Sequence, residues 1–266
     1  MTNWNPQDYH RHSSQQHHWA NQILAHLALK GDETILDIGC GDGKITAQIA
    51  HAVSRERGGG RVVGIDNSAE MIAFAQQAFP ADTFGNLWFQ QADARSLPFV
   101  AEFDLVLSFT CLHWVLDHRP VLAGIQRALR SGGRTLLQFG GKGNAAEIVD
   151  AVTQVTRRPS WASYFVGFEF PWGFYSPEEY RAWLAEAGLR AVRVELVPKD
   201  MIHQGPAGLA SWLRTTWMPY VQRVPADLQQ AFLNESVAEY LKAHPADAQG
   251  NVHMNMVRLE VEATRE

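Results

Sequence analysis

Thr34-Ile35-Leu36-Asp37-Ile38-Gly39-Cys40-Gly41-Asp42-Gly43 decides the fold. Thr34 to Ile38 is a short apolar run closed by glycine, the pattern of a buried strand. Glycines at 39, 41 and 43 let the chain turn sharply and let a ligand come close to the backbone. Lys44 to Ser54 reads as a helix, with Ile45, Ile49 and Val53 at helical spacing. The turn's amides, at that helix's N-terminus, are expected to receive a carboxylate or other polar group.

Outward from this turn, strand and helix alternate. Arg61 to Asp66 is a second strand, and Ser68 caps a helix running to Phe79 with Met71, Ile72 and Ala75 inward. Trp88 to Asp93 and Phe103 to Phe109 follow as strands three and four. A helix over Arg119 to Leu129 is expected to stop at Gly132-Gly133, before a fifth strand from Arg134 to Phe139. This order predicts an α/β, doubly wound, mostly parallel sheet of Rossmann-like type with seven strands.

The second half is less regular. Asn144 to Arg157 reads as helix, and Trp161 to Tyr175 is crowded with aromatics. Ser176-Pro177-Glu178-Glu179 opens a helix ending near Gly188, and Arg190 to Val197 alternates as a strand. Residues 205–243 are mostly helical with breaks at Pro219 and Pro225, before a last strand over Val252 to Val261. The expected core is 29–142 with 176–197 and 252–262. Residues 1–28, 143–175 and 205–244 are expected to cap the carboxyl ends of the strands, because the helical block is too long for a simple connection.

With 266 residues, 46% apolar and 19% charged, the chain can bury a real core. A net charge of −5 offers no global basic field for a phosphate backbone, so nucleic acid is not the expected partner. Two cysteines, Cys40 and Cys111, are too few for a disulfide framework. Met1 to Tyr9 lacks the apolar core of a signal peptide, and no run of about 18 apolar residues occurs anywhere. These features predict a cytoplasmic protein with no membrane span. They are silent on oligomeric state.

The glycine pattern is GxGxG, with Lys44 where the dinucleotide fingerprint GxGxxG needs its last glycine. Asp-Ile-Gly-Cys-Gly-Asp-Gly resembles the first motif of class I S-adenosylmethionine-dependent methyltransferases. Asp66 ends the second strand, where an acid can take both ribose hydroxyls. Asn67-Ser68-Ala69-Glu70-Met71 resembles the family's next segment, whose methionine lies against the adenine. Gln91-Ala92-Asp93-Ala94 resembles the third motif, whose acid accepts from the adenine amino group. The resemblance thus implies S-adenosyl-L-methionine as cofactor, held by Asp37, Gly39, Cys40, Gly41, Gly43, Asp66, Asn67, Met71, Asp93, Ala94 and Phe109. Taken singly, Asp66 reads equally well as a helix cap and Asp93 as a strand terminator. Three acids at three successive strand ends are hard to explain that way.

Ser108-Phe109-Thr110-Cys111-Leu112-His113-Trp114-Val115 follows the fourth strand, where the carboxyl end of the sheet faces the methyl donor. The chain resembles two small-molecule groups, the trans-aconitate and the juvenile hormone acid methyltransferases. The first likeness rests on Trp4-Asn5-Pro6, Gly64-Ile65-Asp66, Met71-Ile72-Ala73 and Asp117-His118, the second on Ser108-Phe109 and Leu112-His113-Trp114-Val115. Both groups esterify carboxylates. In the second, a glutamine near the N-terminus and the tryptophan of the Leu-His-Trp stretch hold the substrate carboxylate. The matching positions are Gln16, with Gln15 as competitor, and Trp114.

A carboxylate is ionised at neutral pH, so esterification needs orientation in a dry pocket rather than a base. His113 would serve as a base only for a hydroxyl acceptor, and otherwise packs or hydrogen-bonds. The aromatic stretch over 161–175 reads as an apolar cover over a partly lipophilic acid, or as a small core of its own. Arg157 and Arg158 are candidate partners for additional carboxylates but read more naturally as a surface helix end. His10, His12, His17 and His18 suggest zinc, yet no cysteine accompanies them, so no metal is expected. The rival readings are a hydroxyl or carbon methyltransferase, a nicotinamide dehydrogenase, and a non-catalytic S-adenosylmethionine-binding module.

Overall fold

A computed structural model describes residues 24, 27–54 and 58–266. Gln15, Gln16 and the N-terminal histidines lie outside the described residues.

Five strands form the parallel part of the sheet: β1 Thr34–Ile38, β2 Arg61–Asp66, β3 Leu87–Gln91, β4 Phe103–Phe109 and β5 Leu129–Gly140. Helices α1 Lys44–Ala52, α2 Ala69–Ala78 and α3 Arg119–Ala128 lie between them in the chain. Then come α4 Ala146–Thr156, α5 Pro177–Glu186, β6 Leu189–His203, α6 Gly205–Thr216, α7 Met218–Val221, α8 Gln229–Ala243 and β7 Val252–Arg265. The sheet has seven strands in the order β3-β2-β1-β4-β5-β7-β6, and β7 runs antiparallel to β5. The expected doubly wound architecture is the observed one.

The apolar runs of the inner strands exist because both faces are covered. Leu36, Ile38, Val106, Leu137 and Phe139 join one buried cluster with Tyr180 and Trp183. Their chain neighbours Ile35, Leu105, Leu107 and Leu136 join another with Ala47, Ile49 and Ile72. Strand order reverses at β1 and β4: the chain builds outward through β2 and β3, then returns to the other side of β1. Loops leaving the carboxyl ends of those two strands must diverge, and the crevice between them is where such sheets take ligands.

Several boundaries differ from expectation for local reasons. Strand β3 ends at Gln91 because the Asp93 side chain accepts from Arg95 N and opens a 3-10 turn over Ala94–Ser96. Helix α3 passes directly into β5, so Gly132-Gly133 lie inside the strand and not at a helix end. Phe103 pairs with Leu129 but Leu105 pairs with Arg134, and this bulge absorbs the glycines. Strands β6 and β7 are longer than their alternation indicated. The helical block breaks beside Pro219, which opens α7, and again before α8.

The chain forms two compact units. One holds the described residues up to Lys142 with Trp172–Val197 and Arg258–Glu266, and the other holds Gly143–Pro171 and Pro198–Val257. Within the second, α4 packs against α8, Arg158 pairs with Glu235 and Glu239, and Phe165 stacks on Phe232. Arg158 is thus committed to its own unit. No helix among the described residues is long and apolar enough to cross a membrane.

Candidate functional site

The glycine turn after β1 folds back on the end of β2. Gly39, Gly41 and Gly43 have φ of 75°, 52° and 80°, a region that L side chains rarely occupy. A Cβ on Gly39 would stand 2.2 Å from Cys111 Sγ, and one on Gly43 2.8 Å from the Phe89 ring. Packing and backbone conformation therefore both demand glycine. Ile65 O accepts from Gly39 N and Cys40 N at 2.8 and 2.9 Å, Cys40 O from Gly43 N at 3.0 Å, and Asp66 Oδ2 from Gly41 N at 3.1 Å. These four amides were expected to await a ligand. They are held by the protein instead, so what the turn offers a ligand is backbone without side chains.

Asp66 ties two elements together. Its other oxygen accepts from Ser68 N at 2.9 Å, at the start of α2. Burial raises its pKa, opposed by bonds from the Ser68, Gly41 and Asn67 amides. Asp37 is buried under the turn and accepts from the Thr46 hydroxyl at 2.6 Å. Burial pushes its carboxyl up to about 6 against that bond, and Asp66 adds to the rise. Asp93, more exposed, is gripped by its own neighbour, with Arg95 Nη2 at 2.6 Å, and sits below the usual carboxylate range.

The three acids converge. Burial pushes the Cys111 thiol up first, then the fields of Asp66 and Asp37, with Asp93 adding to them. Cys40 is raised by burial and then by Asp37, Asp66 and Cys111. Asp37, Asp66, Asp93 and the glycine turn thus lie at the carboxyl ends of β1, β2 and β3, with the fields of all three acids reaching Cys111. Met71 is buried on α2, Asn67 is exposed with its carbonyl accepting from Gln91 Nε2, and Ala94 and Phe109 pack against the cores.

Beyond β4 the chain turns at Thr110, whose φ is 56°, into a 3-10 turn over Leu112–Trp114. His118 anchors this turn. Its Nε2 lies 2.8 Å from Leu112 O, which can only accept, so Nε2 carries the proton and Nδ1 accepts from the Tyr180 hydroxyl at 2.9 Å. Burial drops His118 to about 4. His113 is buried as well, and its Nδ1 accepts from Gly140 N at 3.5 Å. Burial, then the charge of Arg258, then His118 hold its pKa well below the ordinary histidine value. Trp114 meets Trp172 edge to face at 5.7 Å, and Trp172 stacks on Phe174 at 6.1 Å. Gly173 N donates to His113 O at 2.9 Å, which pins that aromatic strand of chain to the turn.

The aromatic stretch is therefore not one cover. Trp172, Phe174 and Tyr175 belong with the sheet and pack on Trp114, His113 and His118. Trp161 and Phe165 are core of the helical unit, against Phe232.

A family model described as a methyltransferase domain matches residues 29–188, which spans the glycine turn, the three acids and the 112–114 turn. The chain belongs to the S-adenosylmethionine-dependent methyltransferases. This methyltransferase is 28% identical over 269 residues to the trans-aconitate 2-methyltransferase of Azoarcus sp. (strain BH72), covering 100% of each chain. Among solved structures, it matches the YcgJ protein of Bacillus subtilis with a TM-score of 0.62 at 19% identity, over 94% of this chain and 99% of that one. The geranyl diphosphate C-methyltransferase of Streptomyces coelicolor, solved with S-adenosyl-L-homocysteine, gives 0.54 at 18% identity, over 94% and 81%. Both likenesses are of fold. Among the described residues of this methyltransferase, no cluster of three or more His, Cys, Asp or Glu could hold a metal.

Reading the sequence missed three residues at this end of the sheet. His118 and Tyr180 are joined only by the fold, 62 positions apart. Arg258 is a buried cation on the last strand, and its one signal was a charge at an inward position of an apolar alternation.

Proposed function

We propose that this methyltransferase transfers the cofactor's methyl group to a carboxylate oxygen of a small, partly lipophilic acid, giving a methyl ester. The reading is carried by the state of the imidazoles at the 112–114 turn. His113 is held well below the ordinary value and His118 at about 4, so both are neutral and poorly basic at physiological pH. A hydroxyl acceptor needs a base near its proton, whereas a carboxylate arrives ionised. The name of the trans-aconitate relative and the apolar wall of Trp114, Trp172 and Phe174 support the same reading.

The residues present fit the cofactor. Asp66 is the acceptor at the end of β2 for the ribose hydroxyls, beside the backbone bonds it already accepts. Gly39, Gly41 and Gly43 leave the backbone bare, Asp93 suits the adenine amino group, and Asn67, Met71, Ala94 and Phe109 complete the lining, with Asp37 and Cys40 bracing the turn from below. Bound there, the sulfonium supplies an electrophilic methyl group. The chain's own part is to orient the acceptor and exclude water. Trp114 carries an indole N–H that can donate to a carboxylate without protonating it, and Gln16 is the second such donor from the N-terminal segment. Nucleic acid has no place in this reading, and the thiols of Cys40 and Cys111 suit a reducing cytoplasm.

The test is product chemistry. Fatty, aromatic and polycarboxylic acids offered with methyl-labelled cofactor are expected to give base-labile methyl esters. Base-stable products throughout would move the assignment to hydroxyl or carbon methylation and leave the methyltransferase intact.

A further inference from the structure

Trp114 sits between two carbonyls that one short segment of chain holds. Within the turn itself, Cys111 O accepts from Trp114 N at 3.0 Å and Leu112 O from Val115 N at 2.8 Å. The next carbonyl, His113 O, accepts from Gly173 N at 2.9 Å. Leu116 O, beyond Trp114, accepts from the Tyr175 hydroxyl. The residue that carries the indole is therefore tied on both sides to the chain over Trp172–Tyr175. Tyr175 is itself fixed in place. Its carbonyl accepts from Lys142 N at 2.9 Å, and its ring meets His118 at 4.9 Å and Trp183 at 4.6 Å, edge to face in both. Burial, then Asp117 and Glu179, raise its pKa against the pull of Arg119, so the hydroxyl keeps its proton and donates. Gly173 permits the close approach, since a Cβ there would stand 2.9 Å from Val115 O.

We infer that Tyr175 is a positioning residue for methyl transfer: by holding Leu116 O, it sets where the Trp114 indole stands. The inference rests on the proposed place of Trp114 beside the methyl acceptor and deepens it by naming what fixes that place. Transfer needs oxygen, methyl and sulfur in line, and a displacement of about 1 Å costs up to about a hundred-fold in rate. His118 secures the start of the turn at Leu112 O, and Tyr175 secures its exit at Leu116 O. Phenylalanine at 175 would keep the ring contacts with His118 and Trp183 and lose only the hydroxyl. That hydroxyl's bond lies at the surface, where water can take its place on the carbonyl, so the fold loses little without it. What the bond supplies is geometry.

In the experiment, methyl-labelled cofactor is offered with decanoate, phenylacetate, trans-aconitate, decanol and phenol, and rates are followed for the acceptor that the wild-type chain methylates fastest. Tyr175→Phe is expected to lower kcat about ten-fold or more, with S-adenosyl-L-homocysteine affinity and the urea midpoint little changed. A nitrogen–proton correlation spectrum of the full chain with S-adenosyl-L-homocysteine reads the indole directly. The Trp114 line, assigned through Trp114→Phe, is expected to move or broaden in Tyr175→Phe while that of Trp88, on β3, stays. Gly173→Ala, whose new Cβ pushes against Val115 O, is expected to lower kcat in the same way. An unchanged kcat or an unmoved Trp114 line in Tyr175→Phe would overturn the inference. So would failure of that variant to fold, or a fall in kcat matched by an equal loss of S-adenosyl-L-homocysteine affinity, since either makes the role structural. Methylation of decanol or phenol alone would sink the carboxylate reading, and the variant's kcat on that acceptor then decides for Tyr175. Ester formation undiminished in Tyr175→Phe would do the reverse. If the wild-type chain methylates none of the five, neither reading stands.

Discussion

Asp66 and Gly41, 25 residues apart, are joined by a bond of 3.1 Å from the Gly41 amide to Asp66 Oδ2. The bond fastens the glycine turn to the end of β2, so the acid shapes the cradle as well as lining it. Asp66→Ala is expected to weaken S-adenosyl-L-homocysteine binding at least tenfold, about 1.4 kcal/mol. Titration calorimetry of the variant checks this, and unchanged affinity would remove Asp66 from the cofactor's contacts.

Gly39→Ala meets two obstacles at once. Its φ of 75° is unfavourable for alanine, and the new Cβ would stand 2.2 Å from Cys111 Sγ and 2.4 Å from Cys111 Cβ. Together these should cost on the order of 2–4 kcal/mol in chemical denaturation. Adding Cys111→Ala should give little relief, because the offending Cβ remains. Full rescue by that second change would show that the sulfur alone was the obstacle.

The pH dependence of stability contains opposing parts. Asp37 rises from 3.8 in the unfolded chain to about 6 when folded, so the native state holds its proton more tightly. Its contribution favours the fold in acid and is lost as pH climbs from roughly 4 to 6, on the order of 3 kcal/mol. His118 falls from 6.5 to about 4, so its contribution is present above 6.5 and disappears as pH drops towards 4, by a similar amount. Asp66 is raised like Asp37, while His113 and His203 are depressed like His118, and the histidines outweigh the two acids. Net destabilisation on acidification from about 6.5 to 4 is expected in urea titrations. In Asp37→Asn that acid loss should be steeper, since one of the opposing contributions is gone, and stability at pH 7 should rise. A shallower acid slope in this variant would reverse the sign assigned to Asp37.

His118→Phe removes the donor to Leu112 O and leaves the Tyr180 hydroxyl buried without its acceptor. A loss of about 1–3 kcal/mol is expected, with turnover reduced more than cofactor affinity, since the 112–114 turn loses its anchor. Tyr180→Phe on top of it should recover part of the stability, because the orphaned hydroxyl leaves with it. No recovery in the double variant would mean that the hydroxyl finds another partner.

Trp114→Ala is expected to lower turnover while S-adenosyl-L-homocysteine binds nearly as before, since its ring meets Trp172 and His113 on the turn beyond β4. Calorimetry beside steady-state rates separates the two. The reverse pattern would put Trp114 against the cofactor.

The sequence was most informative where one short stretch carries its own constraints. At Thr34–Gly43 a strand, a turn that only glycine tolerates and a helix start are encoded in adjacent residues, and the acids at 37, 66 and 93 each sit at a strand end. It misled where a local signal had a tertiary explanation. Gly132-Gly133 has the look of a helix stop and is a bulge, because β5 must shift register against β4. The aromatics of 161–175 look like one surface and belong to two units, because sequence adjacency does not say which core a ring enters.

By itself, then, the chain's sequence determined the order of strands and helices, the parallel doubly wound class and the bare glycine turn with its acids, because periodicity and φ preference act between near neighbours. Only the tertiary structure decided that the turn's amides are spent on Ile65, Cys40 and Asp66, that burial holds His113 and His118 below the ordinary histidine value, and that Arg258 is buried opposite Gly140. Those outcomes depend on burial and on the register of an antiparallel strand more than a hundred residues away, and no local pattern carries either.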